Sequence, residues 1–375
     1  MEKAIREILR RIEDRILPED SMVERIADVL ECRPVAPVPL IPYRPRNAAA
    51  PGHTFSLKEQ FFDPERMLYA HLEEMEDCYS GHSGAPLTLR PNFGTILMPA
   101  AFGLDYEVFE DQYPWLTSHA DPVAIERLED TDILASPIIK RAIEYIKCFK
   151  SLLPAWIHVY MPDTQGIFDL AHMLIGDEVF YLLYDDPDAV HRLMRLCVNA
   201  YCNVTDHLKQ ALGEKPHCQY HGHALPYGIY MRNGGVRISE DSAILLSPEH
   251  IDEFVIPYID ETLSSYQGGF VHYCGHNLHM LTRLTELSSL RAVNLGNPEM
   301  YDFHKVMCQC HQNNCVYFGH WHSLPGEGVD RYLRRIWDAS DAGTRGLLLH
   351  FDISNFKGIS WAQVQDLWNN GFACA

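Results

Sequence analysis

The chain has 375 residues, a formal charge of −20 and 47% hydrophobic residues. That apolar content builds a sizeable core and excludes a disordered chain. The acidic balance excludes a nucleic-acid binder and a protein held on anionic lipid, both of which need basic surface. No run approaches the roughly 18 apolar residues of a membrane span. The charged start MEKAIREILRRIEDRIL is unlike a signal peptide. Eleven cysteines without paired spacing suit a reducing cytosol, so the expected location is cytoplasmic.

Ile5, Ile8, Leu9, Ile12 and Ile16 recur at the helical period, and Pro18 ends the run. Ser21 then starts a second helix carrying Val23, Ile26, Val29 and Leu30. Residues 1–34 therefore read as an N-terminal helical extension with a buried apolar stripe. Strand-like runs follow at 35–44, 86–94, 155–166, 236–247, 269–276, 290–296, 315–323 and 346–353, with helical patterns between them. Alternation of strand and helix gives a parallel sheet, and eight such units point to a closed (β/α)8 barrel over 35–375. Neither GxGxxG after the first strand nor GxxxxGK[ST] occurs, so the dinucleotide and P-loop folds lack their signatures.

In a barrel, chemistry sits at the C-terminal ends of the strands. The fifth run ends His272-Tyr273-Cys274-Gly275. His272 and Cys274 are two apart, so they share one face of a strand and offer half of a zinc site. Candidates for a third ligand are His350 and Asp352 on the last strand, His320 and His322 on the seventh, and His221 and His223 before the fourth. Glu240 and Asp241 are adjacent, so only one of them enters the mouth. Asn92, Tyr160, Asp163, Gln165, Asn294 and Asn297 also stand at strand ends, where loop capping is the plainer role. Cys308, Cys310, His311 and Cys315 imitate a zinc knuckle. They lie before the seventh strand, at the stability end of a barrel, and Cys308 and Cys310 diverge on a helix.

The block from 236 to 299 contains Asp241, Leu246-Ser247-Pro248-Glu249, His272-Tyr273-Cys274-Gly275 and Leu295-Gly296-Asn297-Pro298-Glu299. It resembles the uroporphyrinogen decarboxylase superfamily, whose fold is a (β/α)8 barrel. The decarboxylase branch carries an R-Q-A-G-R-Y motif. This chain has Ile41-Pro42-Tyr43-Arg44-Pro45-Arg46 at that strand. The cobalamin-dependent methyltransferase branch binds zinc through H-x-C plus a cysteine on the last strand, where this chain has Leu349-His350-Phe351-Asp352.

The resemblance to that second branch implies zinc on His272, Cys274 and His350, with Asp352, His320, His322 and Glu240 as alternatives. Glu240, Asp241, Tyr160 and Asn92 are the expected catalytic residues. The activity implied is methyl transfer between a small-molecule donor or acceptor (ether, amine or thiol) and the cobalt of a corrinoid carried by a partner protein. The mouth is then expected to be open to that partner, and a homo-oligomer is compatible with it. A carboxylate-clamping decarboxylase, using Arg44, Arg46, Arg90 and Arg232, is the alternative. A non-catalytic barrel that binds a corrinoid or its carrier is another.

Overall fold

All eight runs contain a strand. The computed structural model describes residues 1–15, 18–44, 54–122, 125–224, 226–340 and 343–370. Ile16, Pro45 and Arg46 lie outside the described residues. The strands are β1 (Leu40–Tyr43), β2 (Leu87–Leu89), β3 (Tyr106–Glu107), β4 (Trp115–Leu116), β5 (Ile157–Val159), β6 (Gln219–Ala224), β7 (Tyr227–Met231), β8 (Val236–Ser239), β9 (Gly269–Tyr273), β10 (Leu290–Leu295), β11 (Val316–Gly319) and β12 (Leu347–Asp352).

One parallel ladder runs β1-β12-β11-β10-β9-β8. β2 and β5 pair in parallel in a second sheet. Runs such as Gly346–Leu349 and Leu290–Val293 are nearly all apolar because barrel strands are buried on both faces. The architecture is the (β/α)8 type expected from the sequence, with an added feature. The hairpin β6–β7 pairs with β2 at Leu87 and Tyr227, and β7 also touches β1. β7 thus stands where a closed ladder would join β1 to β2.

The hairpin also fills the interior. His221 on β6 packs against Phe270 of β9 and Tyr160, and Phe270 packs against Phe318 of β11. His221 was expected on the approach to a strand mouth. It is instead buried, and burial with the nearby Arg237 and Arg90 holds it far below the usual imidazole range.

Helix α1 (Glu2–Glu13) buries Ile5, Ile8, Leu9 and Ile12, and packs on the Pro64–Asp77 helix, where Arg11 bonds both oxygens of Glu76 at 2.9 Å. Helix α2 (Asp20–Leu30) packs on β7 and β12. Its Glu24 and Asp28, with Glu31 just beyond, hold Arg232. Their apolar stripes join the one hydrophobic core.

Candidate metal centre

Three side chains meet where β8 and β9 end. One donor atom each from Asp241, His272 and Cys274 lie within 4.8 Å of one another, the one such group of His, Cys, Asp and Glu among the described residues. The ladder brings them together. The Glu240 amide donates to the His272 carbonyl at 2.9 Å, so β8 stays beside β9 to its end. Asp241 then accepts from the Cys274 amide at 2.6 Å. Gly275 turns the chain away at φ +85°, and a Cβ there would meet Ile244 at 2.3 Å.

The imidazole of His272 is oriented by a fixed chain of bonds. The Phe318 carbonyl can only accept, so the Asn294 amide nitrogen faces it, at 2.5 Å. The Asn294 oxygen therefore accepts from His272 Nδ1–H. Nε2 keeps its lone pair and lies 3.5 Å from Cys274 Sγ. A histidine whose second nitrogen is tied in this way is the arrangement that metal ligands adopt. Burial, helped by Arg237, lowers the pKa of His272 and keeps it neutral. Burial and the adjacent Asp241 push the Cys274 thiol up to about 11.

Of the adjacent acids, Asp241 enters the mouth. Glu240 was expected among the catalytic residues, but alternation past Ser239 turns it into the helix layer. It is fully buried and accepts from the amides of Ile167, Phe168 and Asp169 at the start of the Ile167–Ile175 helix. Burial and Asp169 raise its pKa well above the carboxylate range, against the pull of those amides. Asp169 in turn accepts from the amides of Asp241 and Ser242 at 2.8 and 2.6 Å, which fixes the backbone that carries Asp241. Burial lifts the Asp169 carboxyl to about 6.

His350, expected as third ligand, is outside the group. It sits inside the barrel, 1% exposed, edge-on to Phe318 at 5.2 Å, and burial pushes its pKa down to about 3. Asp241 takes the third place because β8 adjoins β9, whereas β12 is three strands away in the ladder. His320 stacks on Tyr43, His322 pairs with Glu299 at 3.3 Å, and Asp352 caps the turn at Ser354. Cys310 and Cys315 are buried in the core while Cys308 is exposed beside His304. They form no metal group among the described residues.

Tyr160 and Asn92 border a separate cavity of about 200 Å³, together with Arg90. Tyr160 donates to the Gly222 carbonyl at 3.2 Å, and Asn92 accepts from the Gly94 amide at 3.1 Å. Beside them is a cluster that the sequence reading missed. Arg237 donates to both oxygens of Asp163 at 2.8 Å, and Arg90 adds a contact at 3.3 Å. Burial raises the Asp163 carboxyl, but Arg237, Arg90 and the Gln165 amide outweigh it and hold it well below the usual range. This cluster bridges β5 to β8, where no ladder exists. Arg232 instead anchors α2, so Arg90 and Arg232, two arginines of the decarboxylase alternative, serve different partners.

A cavity of about 390 Å³ opens beside Asp241, lined by the apolar Trp115, Leu116 and Met173 and the polar Gln165, His172 and Ser242. Gln165 holds a left-handed φ of +59° there, the kind of backbone that concentrates at functional sites. A larger cavity, about 910 Å³, lies between the Phe303–Gln312 and Val329–Ala339 helices and contains none of the three grouped residues. Cys274 itself is exposed.

A sequence profile described as Uroporphyrinogen decarboxylase (URO-D) matches residues 22–213, just over half of the chain. The chain belongs to the uroporphyrinogen decarboxylase family. The matched range stops before the 236–299 block. No curated protein matches the chain. Among solved structures, a methyltransferase from Methanosarcina mazei is similar with a TM-score of 0.61 and 14% identity, over 94% of this chain and 98% of that one. Likeness at that identity concerns the fold, and it agrees with the TIM barrel of the uroporphyrinogen decarboxylase family.

Proposed function

We propose that the chain is a zinc-dependent methyltransferase, moving a methyl group between a small methylated substrate and the cobalt of a corrinoid protein. The observation that carries this reading is the Asp241–His272–Cys274 group at the mouth. The family and the fold shared with the Methanosarcina mazei methyltransferase support it.

The donor set fits zinc. An imidazole lone pair, a sulfur and a carboxylate oxygen are the ligand types zinc takes, and three protein ligands leave a position open for substrate. The thiol pKa of about 11 reflects burial beside a carboxylate, an environment that a divalent cation would reverse. When bound, zinc supplies Lewis acidity at the substrate heteroatom. His272 presents Nε2 because Asn294 holds Nδ1. Asp241 is held by Asp169 through its amide, and Cys274 by Asp241 through its own. A carboxylate in place of a second thiolate leaves the metal more electron-poor, which suits polarising an ether or amine. The exposure of Cys274 leaves the mouth open to a docked carrier. The expected location stays cytoplasmic, and no helix among the described residues is long and apolar enough to cross a membrane.

The test is methyl transfer to free cob(I)alamin from a panel of methyl ethers, amines and thioethers. Activity that disappears in Cys274→Ala, with an unchanged circular dichroism spectrum, supports the reading. Metal-free protein that releases carbon dioxide from a carboxylated substrate, and transfers no methyl group, establishes the decarboxylase instead.

A further inference from the structure

The cavity beside the metal group contains a hydrogen-bonded chain with no part in holding the metal. Ser242 directly follows Asp241, and its hydroxyl lies 2.8 Å from His172 Nδ1. His172 Nε2 lies 3.1 Å from Asp177 Oδ1. A carboxylate only accepts, so Nε2 carries the proton and Nδ1 accepts from the Ser242 hydroxyl. Ser242, His172 and Asp241 all border the same cavity. The Asp177 side chain is 86% exposed, so the chain runs from the cavity wall to solvent. Its inner end is fixed by Asp169 on the Ser242 amide, and the His172 ring rests edge-on to Phe180 at 5.0 Å.

Methyl exchange at a neutral heteroatom X has a fixed proton count. When the C–X bond of R–X–CH3 breaks, the methyl group goes to the nucleophile, here a cobalt(I) corrinoid. X keeps the bonding pair and needs a proton to leave as R–XH. In the reverse direction R–XH gives that proton up. A quaternary ammonium differs, because it leaves as a neutral amine without any proton.

We propose that Ser242, His172 and Asp177 form a proton relay for the methyl-exchange site, and that the substrate is a methyl ether or thioether rather than a quaternary ammonium. This rests on the methyl-transfer reading above. In demethylation His172 first takes up a second proton from solvent and carries one on each ring nitrogen; the Ser242 O–H proton passes to X, the His172 Nδ1 proton replaces it on Ser242, and the neutral Nε2–H imidazole is restored. Methylation runs the same transfers backwards. The charged and titratable groups that line the cavity with His172 or bond to it are Asp169 one turn before it, Asp177, Asp241 beside Ser242 and His119. Among the described residues, no Lys or Arg borders the cavity.

The test uses zinc-loaded wild type, His172→Gln, Ser242→Ala and Cys274→Ala, with free cob(I)alamin and three probes: 2-methoxyphenol, dimethyl sulfide and tetramethylammonium. His172→Gln and Ser242→Ala should lose about 100-fold in kcat on the ether or thioether. KM and bound zinc should stay unchanged, with no comparable loss on tetramethylammonium. Undiminished turnover, or equal loss on all three probes, overturns the relay.

A second readout needs no turnover. Ring ¹⁵N resonances of His172, assigned by comparison with His172→Gln, should show protonated Nε2. Catechol, the demethylated form of the ether probe, should shift Nδ1 in wild type and not in Ser242→Ala. An unmoved resonance overturns the relay even if no probe turns over. Retention of zinc and activity by Cys274→Ala is the separate result that defeats the underlying reading.

Discussion

From β8 to β12 the strands form one parallel ladder that ends on β1, whereas β2 and β5 stand apart behind the β6–β7 hairpin. The two regions hold the site by different means. On the ladder side, backbone pairing places Asp241, His272 and Cys274, and the second-layer Asn294 is bonded to the Phe318 carbonyl. On the other side, side chains close the gap: Asp163 between Arg90 and Arg237, and Glu240 on the helix amides. The three grouped donor residues therefore sit on the part whose geometry is fixed by main-chain bonds. The neighbouring cavity walls are held by ion pairs and inserted segments.

The largest effect should come from cutting the side-chain bridge. Arg237→Met leaves the buried Asp163 with Arg90 alone and should cost about 3–5 kcal/mol in urea unfolding. Acid should expose the same seam. The depressed Asp163 carboxyl adds stability above its unfolded pKa, and that stability is lost as pH falls through its lower folded value.

His350 gives a further acid limb, on the ladder side. Its folded pKa of about 3 lies below the ordinary 6.5, so between those values the unfolded chain takes up a proton that the folded one refuses. Stability should fall as pH drops through that window. His350→Leu should flatten the slope by up to about 1.4 kcal/mol per pH unit, read by denaturant titrations at several pH values.

Smaller changes sharpen the contrast. Asn294→Leu frees the His272 tautomer and should weaken zinc binding about 10- to 100-fold in chelator competition, with little change in fold. Glu240→Gln keeps one acceptor oxygen at the helix start but replaces the other with an NH2 group that cannot accept from the remaining amide. It should cost about 1 kcal/mol in thermal unfolding and leave zinc affinity unchanged.

The eight strand positions were legible because barrel strands are continuous apolar runs between Gly, Pro and helical stretches. The His272–Cys274 pair was legible from its two-residue spacing at a strand end. The choice between Glu240 and Asp241 was not, since it depends on the strand ending at Ser239 and on the helix amides waiting outside it. The hairpin escaped because Gln219–Ala224 mixes Gly and His without an apolar alternation. His350 was expected as the third ligand, but it packs on Phe318 inside the barrel and is not in the group formed by Asp241, His272 and Cys274. His172 gave no signal, because its partners Ser242 and Asp177 become neighbours only in the fold.

The most direct test of the metal centre is zinc per chain, measured by plasma mass spectrometry after dialysis, for wild type, Asp241→Ala and His350→Ala. The account predicts about one zinc in wild type and in His350→Ala, and a loss of most of it in Asp241→Ala. Full zinc in Asp241→Ala with loss in His350→Ala would contradict it and move the third ligand to the last strand.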